Sequence, residues 1–203
     1  MLGITKEQLS QLPTVTYPGR SILINTMADA KAAMAYLLRQ KIVGFDTETR
    51  PSFRKGHPHK VALLQLSAGE ECFLIRLNLL GLFDTLKTFF ENEEILKIGL
   101  SVKDDFHSLM RLGEFSPKGF VELQEFVKQY GIADNSLQKI YAVIFGERIS
   151  KSQRLTNWEA DELTEAQQSY ASIDAWACLK IFNHLMAGNF HPEECPFVLP
   201  VTE

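Results

Sequence analysis

The chain has 203 residues, 45% of them hydrophobic, which is enough for one globular domain with a substantial core. Its formal net charge of −4 argues against a protein that coats long nucleic acid through a basic face, though not against one that grips a strand end. No apolar run approaches the roughly 20 residues that span a bilayer, and residues 1–20 lack the basic-then-apolar order of a signal peptide, so a cytoplasmic protein that does not engage membrane is expected. Cys72, Cys178 and Cys195 are odd in number and widely spaced, which predicts buried, inert thiols rather than disulfides or zinc ligands.

In chain order, Lys6 to Leu12 and Ala28 to Arg39 read as helices; in the second, Ala30, Ala33, Met34, Leu37 and Leu38 form an apolar stripe. The period then changes. Ile42 to Phe45 is a short apolar run ending in Asp46-Thr47-Glu48, a buried strand with acids at its end. Arg50 to Lys60 is rich in breakers and cations and reads as an exposed loop. Val61 to Leu66 and Cys72 to Leu77 have the form of a hairpin, joined by a connection containing Gly69. Phe83 to Phe90 has helical spacing, and Ile95 to Leu100 is a further buried strand. Lys103 to Leu112 follows as a helix and Gly119 to Leu123 as a fifth short strand. Thereafter Gln124 to Tyr130, Ser136 to Phe145 and Glu165 to Met186 are helical. Asn135 or Ser136 would cap the second of these, and Thr164 with Gln167 makes a capping box for the last. The expected architecture is α/β: a mixed five-stranded sheet flanked by helices, with a helical C-terminal half. Residues 1–40 form a helical extension, 41–187 the main domain and 188–203, with Pro192, Pro196 and Pro200, an irregular tail.

Asp46 and Glu48, two apart on a strand end, point to one side and can share a cation. The spacing alone is equally that of a solvated turn. Asp105 adds an acid near the start of a helix that follows a buried strand, where open sheets receive ligands, although Asp104-Asp105 also suits a helix N-terminus electrostatically. Tyr170 and Asp174 shift the balance, because a four-residue spacing puts them on one face of a heavily apolar helix. An acid there needs a cation or hydrogen-bond donors.

Three segments then carry a family resemblance. Asp46-Thr47-Glu48 after an apolar strand, Gly99-Leu100-Ser101-Val102-Lys103-Asp104-Asp105 opening a helix, and Tyr170-Ala171-Ser172-Ile173-Asp174 near the end resemble, in order, the three motifs of the DEDDy 3′→5′ exonucleases. The likeness covers roughly residues 43–182, and the stretch through Ser150-Lys151-Ser152, Asn157-Trp158 and Leu163-Thr164 is similar to the Werner-type members, then to those of the ribonuclease D type. It implies a ribonuclease H-like fold and a catalytic set of Asp46, Glu48, Asp105, Tyr170 and Asp174. The four acids would bind two divalent cations, Mg²⁺ or Mn²⁺, because hard carboxylate ligands without His or Cys disfavour zinc. Asp46, Glu48 and Asp174 would hold the ion that activates water, and Asp46 with Asp105 the one beside the leaving oxygen, while Tyr170 orients the water. Asp104 stays open as an alternative to Asp105. Glu122 departs from the aspartate that relatives often carry after the fifth strand, so its role is open.

The implied partner is the 3′ end of nucleic acid, with the Werner-type likeness favouring DNA, and the implied products are nucleoside 5′-monophosphates from a monomeric enzyme. Candidate substrate contacts are Thr47, Arg54, Lys55 and Lys151, within the cationic groups Arg50, Arg54, Lys55, His57, His59, Lys60 and Arg148, Lys151, Arg154. Trp158 suits packing better than base stacking. Rival readings are ribonuclease D-like trimming of RNA, an aspartyl-nucleophile phosphatase, for which the Tyr-x-x-x-Asp helix has no use, and a domain that binds nucleic acid without cleaving it. A dinucleotide-binding oxidoreductase is disfavoured because no Gly-x-Gly-x-x-Gly follows the first strand.

Overall fold

A computed structural model describes residues 1–52 and 59–199. The elements run α1 (Lys6–Gln11), β1 (Arg20–Ile24), α2 (Met27–Leu37), β2 (Ile42–Thr49), β3 (Val61–Ala68), β4 (Glu71–Arg76), α3 (Leu77–Leu80), α4 (Asp84–Glu91), β5 (Leu96–Gly99), α5 (Val102–Leu109), β6 (Phe120–Glu122), α6 (Leu123–Phe126), α7 (Leu137–Phe145) and α8 (Glu165–Met186). The strands form one mixed sheet in the order β1-β4-β3-β2-β5-β6. β3 is antiparallel to both its neighbours, β2 and β4, and the remaining pairs are parallel. β3 is buried along its whole length, as an interior strand covered on both faces should be.

The sheet has six strands where five are legible in the sequence. The additional one, Arg20–Ile24, pairs in parallel with Glu71–Ile75 of β4 and forms the edge. Residues 1–40 are therefore not purely a helical extension: β1 extends the sheet, and Ala30, Ala33, Met34 and Leu37 of α2 enter the main core. β2 is also longer than its apolar run, because Asp46, Thr47 and Glu48 stay paired with Gln65, Leu64 and Leu63 of β3. The tail beyond Gly188 contains only a 3₁₀ turn at Pro192–Glu194, yet Phe190, Cys195 and Phe197 pack against the core. Cys72 and Cys178 are buried free thiols and Cys195 is half-buried. Among the described residues no helix is long and apolar enough to cross a membrane.

Two layers cover the sheet. On one face α2, α4 and α5 pack Met34, Phe89, Phe90 and Leu109 against Phe45 and Leu64. On the other lies α8, a 22-residue helix opened by a capping box in which Thr164 accepts from the Gln167 N–H and Gln167 reciprocates to the Thr164 N–H. Such a cap satisfies two of the four orphan donors at a helix start. The helix comes so close to β2 that a Cβ built on Gly44 would lie 1.9 Å from the Ala175 carbonyl oxygen. Glycine is required there by backbone approach. Gly44→Ala is expected to cost about 3 kcal/mol through forced separation of strand and helix, readable as a fall in Tm of about 10 °C in thermal unfolding.

Candidate active site

The alternation of β2 sends Gly44, Asp46 and Glu48 to the α8 face, while Phe45 enters the opposite core. α8 then brings Asp174 over the strand one residue before Ala175, the residue that meets Gly44. Oxygens of Asp46, Glu48 and Asp174 consequently lie within 4.8 Å of one another. Tyr170 sits one helical turn earlier, close enough for its hydroxyl to favour the charged form of the Asp174 carboxyl. The three acids line a cavity of about 470 Å³ together with Thr47, Ser101, Asp105, Gln124, Lys151, Arg154 and Tyr170.

Asp105 reaches the cavity from the first turn of α5 and accepts a hydrogen bond from the Thr47 hydroxyl. Asp104 is exposed on the outside of the same turn. Geometry therefore selects Asp105 over Asp104. Thr47, expected to touch substrate, lines the cavity, and its hydroxyl donates to Asp105. The turn before α5 is unusual, because Ser101 adopts left-handed geometry with φ 61° and ψ 35°, a conformation that costs a non-glycine residue about 1–2 kcal/mol. Glu122 offsets it: its carboxylate accepts from the Ser101 and Val102 N–H groups, each at 2.9 Å, and from Gln124 N–H at 3.1 Å. These are charge-assisted bonds at a helix N-terminus. Glu122 thus anchors the turn that aims Asp105, a role that spacing alone does not reveal.

Electrostatics mark the cluster as incomplete without positive charge. Burial and the neighbouring Asp174 hold the Asp46 carboxyl well above the ordinary carboxylate range, despite a hydrogen bond from the Thr47 backbone. Burial followed by repulsion from Asp46 and Asp174 pushes Glu48 up to about 10. Burial and Asp46 push Asp105 up to about 8. Asp174 is raised to about 7 by burial, with Tyr170 and Lys151 opposing the shift. Tyr170 is itself raised by burial and by the acids around it, so its phenol keeps its proton and acts as a donor. The candidate ligands are all hard oxygens, with no His or Cys among them, and this set suits a divalent cation.

The connection between α7 and α8 forms the cavity's outer rim. It is pinned at one end, where Gln138 donates to the Ile149 carbonyl. At the other, the fully buried Arg76 donates to the carbonyls of Ala160 and Asp161, and Trp158 is wholly buried beside Tyr170 with ring centroids 6.1 Å apart. Trp158 is therefore a packing residue. Lys151 and Arg154 lie between these anchors, exposed at the cavity mouth. Arg148 turns away and donates to the Leu12 carbonyl. Arg50 and His59 approach Glu159 of the same rim at 3.3 and 3.4 Å. Arg54, Lys55 and His57 lie outside the described residues.

Oxygen ligands crowded this tightly in one pocket are the donor set with which metal-dependent hydrolases of anionic esters hold their ions. The chain belongs to the 3′-5′ exonuclease family, whose model matches residues 22–187, and with it to the hydrolases that act on phosphodiester bonds. It is 30% identical over 202 residues to the mouse bifunctional 3′-5′ exonuclease/ATP-dependent helicase WRN, an alignment covering 95% of this chain and 14% of that protein. Among solved structures, the Aedes aegypti Nibbler EXO domain superposes with a TM-score of 0.75 at 20% identity, covering 89% of this chain and 97% of that one. Escherichia coli RNase D superposes with a TM-score of 0.73 at 25% identity, covering 83% and 44%. The fold is the ribonuclease H-like one that the three motifs imply.

Two outcomes follow from the geometry. Acids whose pKa is higher folded than unfolded favour the folded state while protonated, so that contribution is complete below about pH 4 and is lost as pH rises through about 7 to 10. Metal-free protein should lose Tm between pH 5 and pH 8, Asp174→Asn should flatten the loss, and Mn²⁺ should raise Tm more at pH 8 than at pH 5. Glu122→Ala should cost about 2 kcal/mol in urea unfolding through the lost cap and should lower activity through Asp105, whereas Glu125→Ala, on an exposed face, should do neither.

Proposed function

We propose that the chain removes nucleotides one at a time from the 3′ end of nucleic acid, DNA in preference to RNA, and releases nucleoside 5′-monophosphates. The observation that carries this reading is the convergence of Asp46, Glu48 and Asp174 within 4.8 Å, with Asp105 and Tyr170 on the same cavity. Two divalent cations, Mg²⁺ or Mn²⁺, would supply the charge that acidifies a water and stabilises the leaving 3′ oxygen. Asp46, Glu48 and Asp174 are the residues to hold the first, and Asp46 with Asp105 the second.

The chain's own groups provide the rest. Tyr170 keeps its proton, so its hydroxyl can donate to the attacking water or to a phosphate oxygen but does not act as a base. Thr47 and Glu122 fix Asp105. Lys151 and Arg154, exposed at the mouth, pair with the phosphates of the last nucleotides, and Arg154 lies near enough for its charge to act on Glu48 and Tyr170. Burial of the carboxylates away from bulk water strengthens each of these interactions. Preference for DNA is supported by the 30% identity to the mouse exonuclease/helicase across nearly the whole chain. RNA is the second reading, favoured by the superposition on RNase D. The chain spans only a small part of the mouse relative, so any coupling to further domains lies beyond this proposal. It acts as a monomer.

The test is degradation of 3′-recessed and single-stranded DNA and of matched RNA, with Mg²⁺ and Mn²⁺ compared. Ladders that shorten from the 3′ end and liberate 5′-monophosphates are expected, faster on DNA; intact strands under every condition would refute the activity. Asp174→Ala should abolish turnover in a folded protein. Tyr170→Phe should slow kcat by about 10²-fold while retaining metal binding, and Lys151→Ala with Arg154→Ala should raise KM far more than they lower kcat.

A further inference from the structure

β3 carries a glutamine, Gln65, at the middle of an otherwise small or apolar strand, and its side chain is wholly buried. Neither its amide nitrogen nor its amide oxygen has a hydrogen-bond partner among the described residues. Leaving both ends of a buried amide unpaired costs about 1–3 kcal/mol for each group, so a glutamine that only filled space would be a poor choice over Leu or Met. Its place in the sheet supplies the reason. Gln65 is the antiparallel partner of Asp46, and on its other side it faces Leu74 of β4. Residues directly opposite in an antiparallel pair point to the same face, with Cβ atoms about 4.5–5.5 Å apart. The amide, two carbons beyond its Cβ, can therefore reach the sheet side of the Asp46 carboxylate, while Leu74 offers no polar atom.

Asp46 needs such a donor. A hydrogen bond from the Thr47 backbone N–H opposes the effect of its burial, and no side-chain donor to Asp46 is found among the described residues. Ala171 and Ala175 of α8, fully buried over this part of the sheet, offer no side-chain donor to a carboxylate oxygen that is not committed to a cation. Ligating carboxylates are commonly held by such an outer hydrogen bond.

We infer that Gln65 is a positioning residue for metal binding: its side-chain amide, unpaired in this structure, donates to the Asp46 carboxylate when a divalent cation is bound and fixes the orientation in which Asp46 takes that cation. The inference rests on the metal-dependent reading above. Ser67 provides an internal comparison, because its hydroxyl is also buried and unpartnered on the same face but lies opposite Gly44, where there is no acid to orient.

The experiment measures Mn²⁺ affinity by isothermal titration in the full chain for wild type, Gln65→Met and Ser67→Ala, with Tm recorded for each. Gln65→Met is expected to weaken Mn²⁺ binding about 10–100-fold while leaving Tm equal or higher. Its exonuclease rate should recover at high Mn²⁺ with KM for the oligonucleotide unchanged. Ser67→Ala should keep wild-type affinity. A Gln65→Met protein that binds Mn²⁺ as wild type does, with only Tm altered, would overturn the inference while the exonuclease reading stands. Wild type that neither binds Mn²⁺ nor degrades strands overturns both. Should Gln65→Met not fold, wild type decides: its Gln65 side-chain amide protons should shift and exchange more slowly on Mg²⁺ addition, and their indifference to Mg²⁺ would count against the inference.

Discussion

Everything at this site depends on how closely α8 can approach β2. Gly44 has no Cβ, so the Ala175 carbonyl rests almost on the strand backbone. That approach brings Asp174, on a helix, within ligand range of Asp46 and Glu48, on a strand. The residue that decides the spacing carries no chemistry. A methyl group there would separate strand from helix by more than the tolerance of a coordination sphere, which is a few tenths of an ångström.

The approach has an electrostatic cost, and the surrounding structure is arranged to bear it. Asp174 is buried, Asp46, Glu48 and Asp105 are half-buried beside it, and loss of solvent raises each of the four carboxyls above its ordinary range. Fixed groups keep the acids from escaping the repulsion by rotating away. Tyr170 flanks Asp174, Thr47 bonds Asp105, and Glu122 clamps the turn from which Asp105 projects. Stability is sacrificed locally to keep a preorganised set of ligands, the usual relation between function and fold at a charged site.

How much of this the sequence discloses depends on whether the interaction is local. α8 is legible to the residue, because a capping box and a 22-residue pattern are both local signals. The acids and tyrosine are legible through i, i+2 and i, i+4 spacing, which strand and helix geometry convert into shared faces. β1 is not, since a five-residue edge strand after Pro18 and Gly19 has neither alternation nor full burial to announce it. The choice between Asp104 and Asp105 could not be made from two adjacent acids; the direction of the first turn of α5 makes it. Glu122 acts across some twenty residues on a backbone turn, and no periodicity encodes that. Gln65 did leave a trace, a lone amide in a strand of aliphatics, but its meaning needed the register that sets it opposite Asp46.

The rim between α7 and α8 has neither helix nor strand, yet it is knotted to the body at Ile149 on one side and at Trp158, Ala160 and Asp161 on the other. Lys151 and Arg154 sit between these anchors with exposed side chains, on a turn in which the Arg154 N–H donates to the Lys151 carbonyl and which Gln167 of α8 holds at Thr156. A strand end sliding forward by one nucleotide after each cut needs phosphate contacts that let go and take hold again without disturbing the acids beneath. On the proposed function, long, solvated cations on a rim anchored independently of the acids can do this, while the buried ends hold the rim in place. Stepping would then be separated from cutting.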